Sequence, residues 1–200
     1  MLHEDGLLFI MLLHKVYQTF ARPCFLSGSS WMVGSSKNYT PLHTACCVKR
    51  QRPEDEQPAV VRLLIQAGAD VMSRDKMGFT ALHLGAATGG LELCQVLLAA
   101  RVPVDTRDND DSTPLHLACG SILCEVYEVG KDEAGEPKET PEAEQLAIVS
   151  LLLDAGADRR AHNRKGRTPV DYATSRGWSQ IVDMMIRQDK EAAVSRSSEW

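Results

Sequence analysis

The sequence predicts an all-α-dominated repeat solenoid in which helix-turn-helix pairs are joined by β-hairpin loops. Three observations predict it: a helix-start motif that occurs four times, an apolar segment after each copy, and short polar turns between copies. A stack of such units buries a continuous core that a single unit cannot bury alone. The 200-residue chain is long enough to form this stack as one domain of ordinary size.

The helix-start motif has the form T-P-L-H-x-A and opens with a threonine. Its four copies begin at Thr40, Thr80, Thr113 and Thr168, which are 40, 33 and 55 residues apart. Threonine is a good N-cap because its hydroxyl accepts an unpaired backbone N–H of the first helical turn. The proline that follows in three copies already has helical φ and has no N–H to lose. We therefore predict a short helix after each threonine.

The apolar segments, at 59–70, 91–105, 147–158 and 179–188, predict the second helix of each unit. They are apolar on most faces, so they must be buried between neighbouring units. Gly68 and Gly156 suit the left-handed conformation that ends such a helix. Arg101 holds that position in the second unit, where a left-handed conformation costs about 1 kcal/mol. We therefore expect this helix to end differently.

The polar turns at 75–79, 108–112 and 163–167 predict hairpins between successive units. Gly78 and Gly166 suit a positive φ in these turns, and Asp111 and Asn38 tolerate it. The first and third units are longer than the second by about seven and about twenty-two residues. Both insertions, at 50–57 and 130–144, fall between the two helices of a unit, and a second helix is expected to restart near Glu142.

The 33-residue period and the T-P-L-H-x-A motif resemble the ankyrin repeat, with a similarity that covers about residues 35–190. The resemblance implies an ankyrin-type stack. It also implies that His43, His83 and His116, which share one motif position, bridge neighbouring hairpin backbones by hydrogen bonds. Asp171 takes the place of the histidine in the fourth unit, and a polar segment follows it. This ending is typical of a C-terminal capping repeat.

The predicted organisation has three parts. Residues 1–34 form an N-terminal capping helix and loop, and residues 191–200 form a C-terminal tail. Between them lies the repeat domain, 35–190, with repeats at about 35–74, 75–107, 108–162 and 163–190. The N-terminal helix, 5–20, is apolar all round, so it either caps the stack or pairs with a partner or a second copy.

The spacing of His43, Cys46 and Cys47 on one helix face raises the possibility of a metal site or a Cys/His nucleophile. Histidine recurs at the repeat period, however, and a site of that kind needs it in one constellation only. Cys46, Cys94 and Cys119 are expected to fill small buried positions, whereas Cys47 and Cys124 are expected to be more accessible. The chain has no Gly-rich phosphate loop, G-x-S-x-G or H-E-x-x-H motif. We predict no enzyme activity, no cofactor and no metal.

Composition narrows the class of protein further. The net charge is −5, which disfavours nucleic-acid binding by the molecule as a whole. The most apolar run, residues 6–13, is too short to cross a bilayer, so we expect no membrane insertion. None of the six cysteines forms a C-x-x-C pair, and reduced thiols favour a cytoplasmic or nuclear protein.

The resemblance implies that another protein binds across the hairpin tips and the concave face of the first helices. The predicted partner-binding residues at the tips are Lys37, Tyr39, Lys76, Met77, Phe79, Asn109, Asp110, Ser112, Arg164, Lys165 and Arg167. Ser36 is a further tip position, and Val48, Thr88 and Ser121 are the first-helix candidates. Tyr39, Met77 and Phe79 are expected to be solvent-facing anchors, although each could instead pack on an adjacent hairpin.

Charge suggests two further surfaces. The segment 159–167 carries five Arg or Lys and no acid, so it either contacts an acidic or phosphorylated segment or is a solvated tip. The longer insertion, 130–144, is acidic. It and the smaller insertion, 50–57, are expected on the edge of the stack away from the hairpins, where they form either a second binding surface or tolerated loop length.

The sequence therefore predicts a non-catalytic protein-interaction module that acts as an adaptor, scaffold or inhibitor. The alternatives are a regulatory subunit or fragment of an enzyme or channel complex, an enzyme that uses Cys47 or Cys124, and nucleic-acid binding through 159–167. No small-molecule substrate is expected.

Overall fold

The computed structural model describes residues 40–47, 56–120 and 142–187. These residues contain eight helices: α1 Pro41–Cys47, α2 Glu56–Gln66, α3 Ala81–Thr88, α4 Leu91–Ala99, α5 Pro114–Gly120, α6 Glu142–Asp154, α7 Pro169–Ser175 and α8 at 179–187. The predicted N-terminal cap, the first hairpin (the tip expected at 36–39), most of both insertions and the C-terminal tail lie outside the described residues.

The helices pair in the predicted order, and the pairs stack in two layers. The odd-numbered helices, α1, α3, α5 and α7, contact one another in sequence and form the first layer, while α2, α4 and α6 form the second. Within each of the first three repeats, the first helix also packs on the second. The predicted helical repeat solenoid is therefore confirmed.

Burial of apolar side chains between the two layers holds the stack together. Every residue of α3 and α5 is buried, and the fully buried side chains include Leu82, Leu115, Leu152 and Ile181. Each such side chain contributes about 1.5–3 kcal/mol relative to its exposed state. Since the core continues from one repeat to the next, each repeat depends on its neighbours for stability.

Each first helix begins at its predicted threonine. The backbone N–H groups of Thr40, Thr80 and Thr113 donate to the Nδ1 atom of the histidine three residues later, at 3.2, 3.2 and 3.1 Å. In the fourth repeat, Thr168 donates its backbone N–H to Oδ2 of Asp171 at 2.7 Å. Asp171 therefore replaces histidine as the partner of the N-cap, and the hydrogen bonds from Thr168 hold its pKa below the ordinary value.

The second helices end in the same way in three repeats, and the expectation for Arg101 was wrong. Gly68, Arg101 and Gly156 all have positive φ, at 86°, 61° and 91°. Arg101 donates its N–H to the carbonyl of Leu98 at 2.9 Å, as Gly68 does to Ile65 and Gly156 to Leu153. The next residue, Val102, is buried, and its N–H bonds back to the helix at 3.3 Å. These contacts hold Arg101 in a conformation that glycine would adopt without strain.

The part of the chain that the structure describes has no helix of the length and apolar character needed to cross a membrane.

Candidate protein-binding surface

The three described turns form a continuous row, which we call the hairpin row: residues 75–79, 108–112 and 163–167. Each turn closes by a backbone bond between its first and last residues, such as Asp75 N–H to the Phe79 carbonyl at 3.0 Å. The fourth position has positive φ in all three turns, at Gly78, Asp111 and Gly166. The predicted hairpins are thus present, with left-handed residues where they were expected.

The first residue of each turn fixes the shape of the loop. Oδ1 of Asp75 accepts the backbone N–H groups of Met77 and Phe79 at 2.8 and 2.9 Å. Asp108 and Asn163 repeat this arrangement in the next two hairpins, with donor distances of 2.8–3.0 Å. Each loop backbone is therefore braced by a buried polar side chain.

Backbone hydrogen bonds join each hairpin directly to the next. Asn109 donates its N–H to the carbonyl of Met77 at 3.0 Å, and Arg164 donates its N–H to the carbonyl of Asp110 at 2.9 Å. Both bonds run from the second position of one turn to the third position of the preceding turn. The tips therefore form one ordered surface rather than three independent loops.

The repeated histidines tie the first helices to this row, as the resemblance implied. The Nε2 atoms of His43, His83 and His116 lie 3.0, 3.1 and 3.1 Å from the carbonyl oxygens of Phe79, Ser112 and Arg167. Since each Nδ1 accepts a threonine N–H, Nε2 carries the proton and donates it to the carbonyl. Every link joins one repeat to the hairpin that follows it.

Burial keeps two of these imidazoles neutral. It lowers the pKa of His83 to about 4, with a smaller opposing effect from the hydrogen bond to Ser112. Burial also lowers the pKa of His116. A neutral ring suits the link because protonated Nδ1 could not accept the threonine N–H. These features favour a structural role for the histidines.

Arginine side chains make a second set of hydrogen bonds between repeats along the hairpin row. Nη2 of Arg74 donates to the carbonyl of Arg107 at 2.6 Å, and Nη1 of Arg107 donates to the carbonyl of His162 at 3.0 Å. Each arginine also donates to the carbonyl of the left-handed residue of its own hairpin, Gly78 or Asp111. The two side chains thus continue the repeat period along one edge of the tips.

The structure places most of the described tip candidates on the surface. Met77 is half-buried, and the exposed candidates are Lys76, Asn109, Asp110, Arg164, Lys165 and Arg167. Ser36, Lys37 and Tyr39 lie outside the described residues. The exposed set is therefore polar, and Met77 supplies a partly accessible apolar contact.

Two tip candidates, Phe79 and Ser112, are buried, with 6% and 3% of their surface exposed. Both occupy the last position of a turn, where the chain enters the stack. The carbonyl of each accepts a hydrogen bond from the histidine of the preceding repeat. The Phe79 ring also packs near His83, with ring centroids 5.7 Å apart. Phe79 is therefore a packing residue rather than a solvent-facing anchor. Arg167 holds the same position in its turn but is exposed.

Exposure of the first-helix face at Thr88 was also a wrong expectation. Thr88 is 8% exposed, and its hydroxyl lies 2.9 Å from the carbonyl of Leu84 and 3.3 Å from that of Cys46. The latter contact crosses to the preceding repeat, so Thr88 faces the interior of the stack. Val48 and Ser121 lie outside the described residues. Thr88 is thus the one first-helix candidate among the described residues, and it adds no exposed side chain to the tips.

The cysteines offer no activated nucleophile in the described part of the chain. Burial raises the pKa of the Cys94 thiol to about 12 and raises the pKa values of Cys46 and Cys119 as well. Cys47 was expected to be accessible but is 4% exposed. Cys124 lies outside the described residues. The described His, Cys, Asp and Glu side chains form no group of three or more that could hold a metal ion.

The structural side chains that the sequence reasoning missed follow the same period as those it found. Asp75, Asp108 and Asn163 open the turns, and Arg74 and Arg107 immediately precede two of them. Alignment of the four repeats at the turn would have revealed these shared positions. The restart of the second helix was found, since α6 begins at Glu142 as predicted.

Comparison with known families identifies the repeat. A family model described as ankyrin repeats, in three copies, matches residues 53–129 of this chain. The match includes α2 to α5 and two hairpins of the row, and it supports the same repeat period that the sequence and the contacts display.

Known relatives are similar to this chain over most of its length. It is 29% identical to the mouse B-cell lymphoma 3 protein homolog, covering 81% of this chain and 38% of the relative. It is 30% identical to human ankyrin repeat and SOCS box protein 16, over 84% of this chain and 32% of the relative. It is 28% identical to the putative ankyrin repeat protein YahD of Escherichia coli, over 66% of this chain and 74% of the relative. The chain thus spans less than two fifths of the length of the first two relatives.

Proposed function

Because this chain belongs to the ankyrin-repeat family, we propose that it is a non-catalytic adaptor, scaffold or inhibitor that binds a partner protein through the hairpin row. The observation that carries the proposal is the connection between the tips. Backbone bonds join the hairpins, so their exposed side chains are presented in a fixed relative arrangement. A surface that is already ordered loses less conformational entropy when a partner binds.

The polar character of the exposed tips supports recognition of a protein. Lys76, Asp110 and Lys165 each lie exposed on a different hairpin, and Met77, next to Lys76 in the chain, is partly accessible. Interfaces commonly combine a few apolar contacts with a charged rim that determines orientation. Lys37 and Tyr39 of the first hairpin remain proposed contributors. Phe79 and Ser112 support the surface from beneath.

The raised pKa values of the described buried thiols favour the absence of nucleophilic catalysis by those cysteines. The described cysteines are buried and form no disulfide with one another, which also supports the proposal of a cytoplasmic or nuclear protein, since such compartments keep thiols reduced. Imaging of the tagged full chain in cells tests the location, and secretion into the medium would contradict it.

Affinity capture with quantitative mass spectrometry tests the proposed surface. The tip variant carries Lys76→Ala, Asp110→Ala and Lys165→Ala, which removes one exposed charge from each hairpin. The control carries Arg62→Ala, Asp183→Ala and Arg187→Ala, which removes the same charges from exposed positions on second helices. We expect the tip variant to lose proteins that the parent and the control capture. Equal capture by all three proteins would place the interface elsewhere.

A second candidate function is that of a regulatory subunit or fragment whose catalytic activity belongs to a larger complex. It is favoured by the small fraction of the relatives that this chain spans, 38% and 32% in two cases. Recovery of a catalytic subunit in constant stoichiometry with this chain would support it. Capture of varied partners in no fixed ratio would favour the adaptor instead.

A further inference from the structure

The hairpin row has charges of alternating sign. Numbered by repeat, the second hairpin (75–79) carries Lys76 at the tip, the third (108–112) carries Asp110 and Asp111, and the fourth (163–167) carries Arg164, Lys165 and Arg167. The backbone bonds between hairpins fix the order of these groups along the surface. The charge pattern therefore differs between the two ends of the hairpin row, and a charged ligand could recognise this difference.

The fourth hairpin holds its cations on a rigid base. Oδ1 of Asn163 accepts the backbone N–H groups of Lys165 and Arg167, both at 3.0 Å. The amide Nδ2 of Asn163 donates to Oη of Tyr172 at 3.0 Å and contacts Oγ of Ser112 at 3.3 Å. Asn163 is buried, so the loop is anchored in the core while its charged side chains face solvent.

These cations are available to a ligand. Arg164 pairs with Asp111 at 3.2 Å, but both side chains are largely exposed, and such pairs contribute little to stability. Among the described residues, Lys165 and Arg167 form no ion pair. The Arg167 guanidinium lies 5.8 Å from the centroid of the Tyr172 ring, which orients it without neutralising its charge. The hairpin thus presents Lys165, the Arg167 guanidinium, whose charge is partly offset by the Asp171 carboxylate, and Arg164 in an ion pair that a ligand can replace.

We propose that the fourth hairpin binds a carboxylate-rich segment of a partner protein and that Asp110 and Asp111 set the direction in which the segment lies. The acidic end of the segment would contact Lys165 and Arg167, and a neutral or basic stretch would cross the third hairpin. This inference rests on the proposed function because it assigns a chemistry to one end of the same surface.

The neighbouring acids favour a short protein segment over a nucleic acid. An extended polyphosphate chain that ran along the hairpin row would meet Asp110 and Asp111 directly after the cations, and the protein as a whole carries a net charge of −5. A protein segment can change its charge from residue to residue, so it can match both hairpins. The arrangement therefore fits a protein ligand whose acidic part is confined to one end.

Fluorescence polarisation with two short synthetic peptides tests the proposal on the full chain. One labelled peptide has alternating glutamate and serine followed by a lysine-containing end, and the other has glutamine in place of every glutamate. The test variant is Lys165→Gln with Arg167→Gln. Its matched control is Arg62→Gln with Arg187→Gln, which removes two exposed charges from second helices. We expect the test variant to bind the glutamate peptide about tenfold more weakly than the parent and the control.

Three other results would overturn the proposal: equal binding of the two peptides, equal weakening by the test variant and its control, or tighter binding of a single-stranded RNA than of the glutamate peptide. Reversing the charge at the tip of the third hairpin by Asp110→Lys supplies an independent readout. It is expected to weaken binding of the peptide with the lysine-containing end and to strengthen binding of an all-acidic peptide. If the peptide test fails while the tip variant still loses captured proteins in the affinity experiment, this inference is wrong and the proposed function stands.

Discussion

The Nε2 atom of His83 lies 3.1 Å from the carbonyl oxygen of Ser112, so one imidazole connects the first helix of its repeat to the hairpin of the next. Its Nδ1 atom accepts the backbone N–H of Thr80 at 3.2 Å. The ring therefore satisfies a helix start and a hairpin at once, inside a fully buried site. This relationship explains why T-P-L-H recurs: the motif begins a helix and also fixes the surface formed by the tips.

Replacement of His83 is expected to destabilise the stack. His83→Ala leaves the Thr80 N–H and the Ser112 carbonyl buried without these bonds, which should lower the free energy of unfolding by about 3 kcal/mol. His162→Ala is the control because that side chain is exposed, and its effect should be within about 0.5 kcal/mol. Urea denaturation followed by circular dichroism measures both. Similar effects of the two variants would contradict the role of the link.

The stability of the protein is expected to fall below neutral pH. His83 has a folded-state pKa of about 4 and an ordinary value of 6.5, so the unfolded chain takes up a proton first as pH falls. Stability from this group is fully present above pH 6.5 and decreases progressively towards pH 4. The expected loss is about 3 kcal/mol. His116 acts in the same direction.

Urea denaturation at several pH values measures this dependence. The stability difference between the parent and His83→Ala should shrink as pH falls from 6.5 to 4, since the variant lacks the titrating group. A difference that stays constant over this interval would show that His83 does not titrate as its burial requires.

The left-handed ends of the second helices predict opposite effects for two substitutions. Arg101→Gly should stabilise the protein by about 1 kcal/mol because glycine adopts a positive φ without strain. Gly68→Ala should destabilise it by about 1 kcal/mol for the same reason. A Cβ at Gly68 would have no atom within 4 Å, so backbone strain is the expected cause. Thermal unfolding gives both values, and destabilisation by Arg101→Gly would contradict this explanation.

Two hairpin glycines separate backbone strain from crowding. Both Gly78 and Gly166 have positive φ, but only at Gly78 would a Cβ meet a neighbouring hairpin, 2.7 Å from the backbone N of Asn109. Gly166→Ala is expected to destabilise by about 1 kcal/mol from strain alone. Gly78→Ala should lower the free energy of unfolding by at least twice as much. Equal losses would argue against close contact between these hairpins.

The described cysteines should resist alkylation in the folded protein. Cys46, Cys47, Cys94 and Cys119 are buried, and burial raises the pKa of Cys94 to about 12. Treatment with iodoacetamide at neutral pH, followed by peptide mass spectrometry, should leave these four unmodified until denaturant is added. Rapid modification of Cys47 in the native protein would contradict its observed burial.

Much of this fold could be predicted from the sequence because the repeat motif encodes local and inter-repeat contacts together. Thr40, Thr80, Thr113 and Thr168 begin helices, and the histidines reach the following hairpins, as the resemblance implied. Arg101 was misjudged because tertiary contacts around Val102 override the local preference against a positive φ.

The surface was harder to predict than the fold. Phe79 occupies a tip in sequence, yet its position at the end of the turn brings its ring against His83. Thr88 was placed on the exposed face because helical spacing alone does not reveal which side the neighbouring repeat covers. Its contact with the Cys46 carbonyl depends on a residue 42 positions away. Exposure at these sites is a property of the stack rather than of a single repeat.

Lysine footprinting tests the central claim most directly, because Lys76 and Lys165 are the lysines of the described residues and both lie exposed on hairpin tips. The purified partner from the capture experiment is mixed with the protein, the lysines are acetylated briefly, and modification is measured by mass spectrometry. Binding through the hairpin row predicts that both lysines react more slowly in the complex than in the free protein. Unchanged reactivity of both lysines in a complex that demonstrably forms would contradict it.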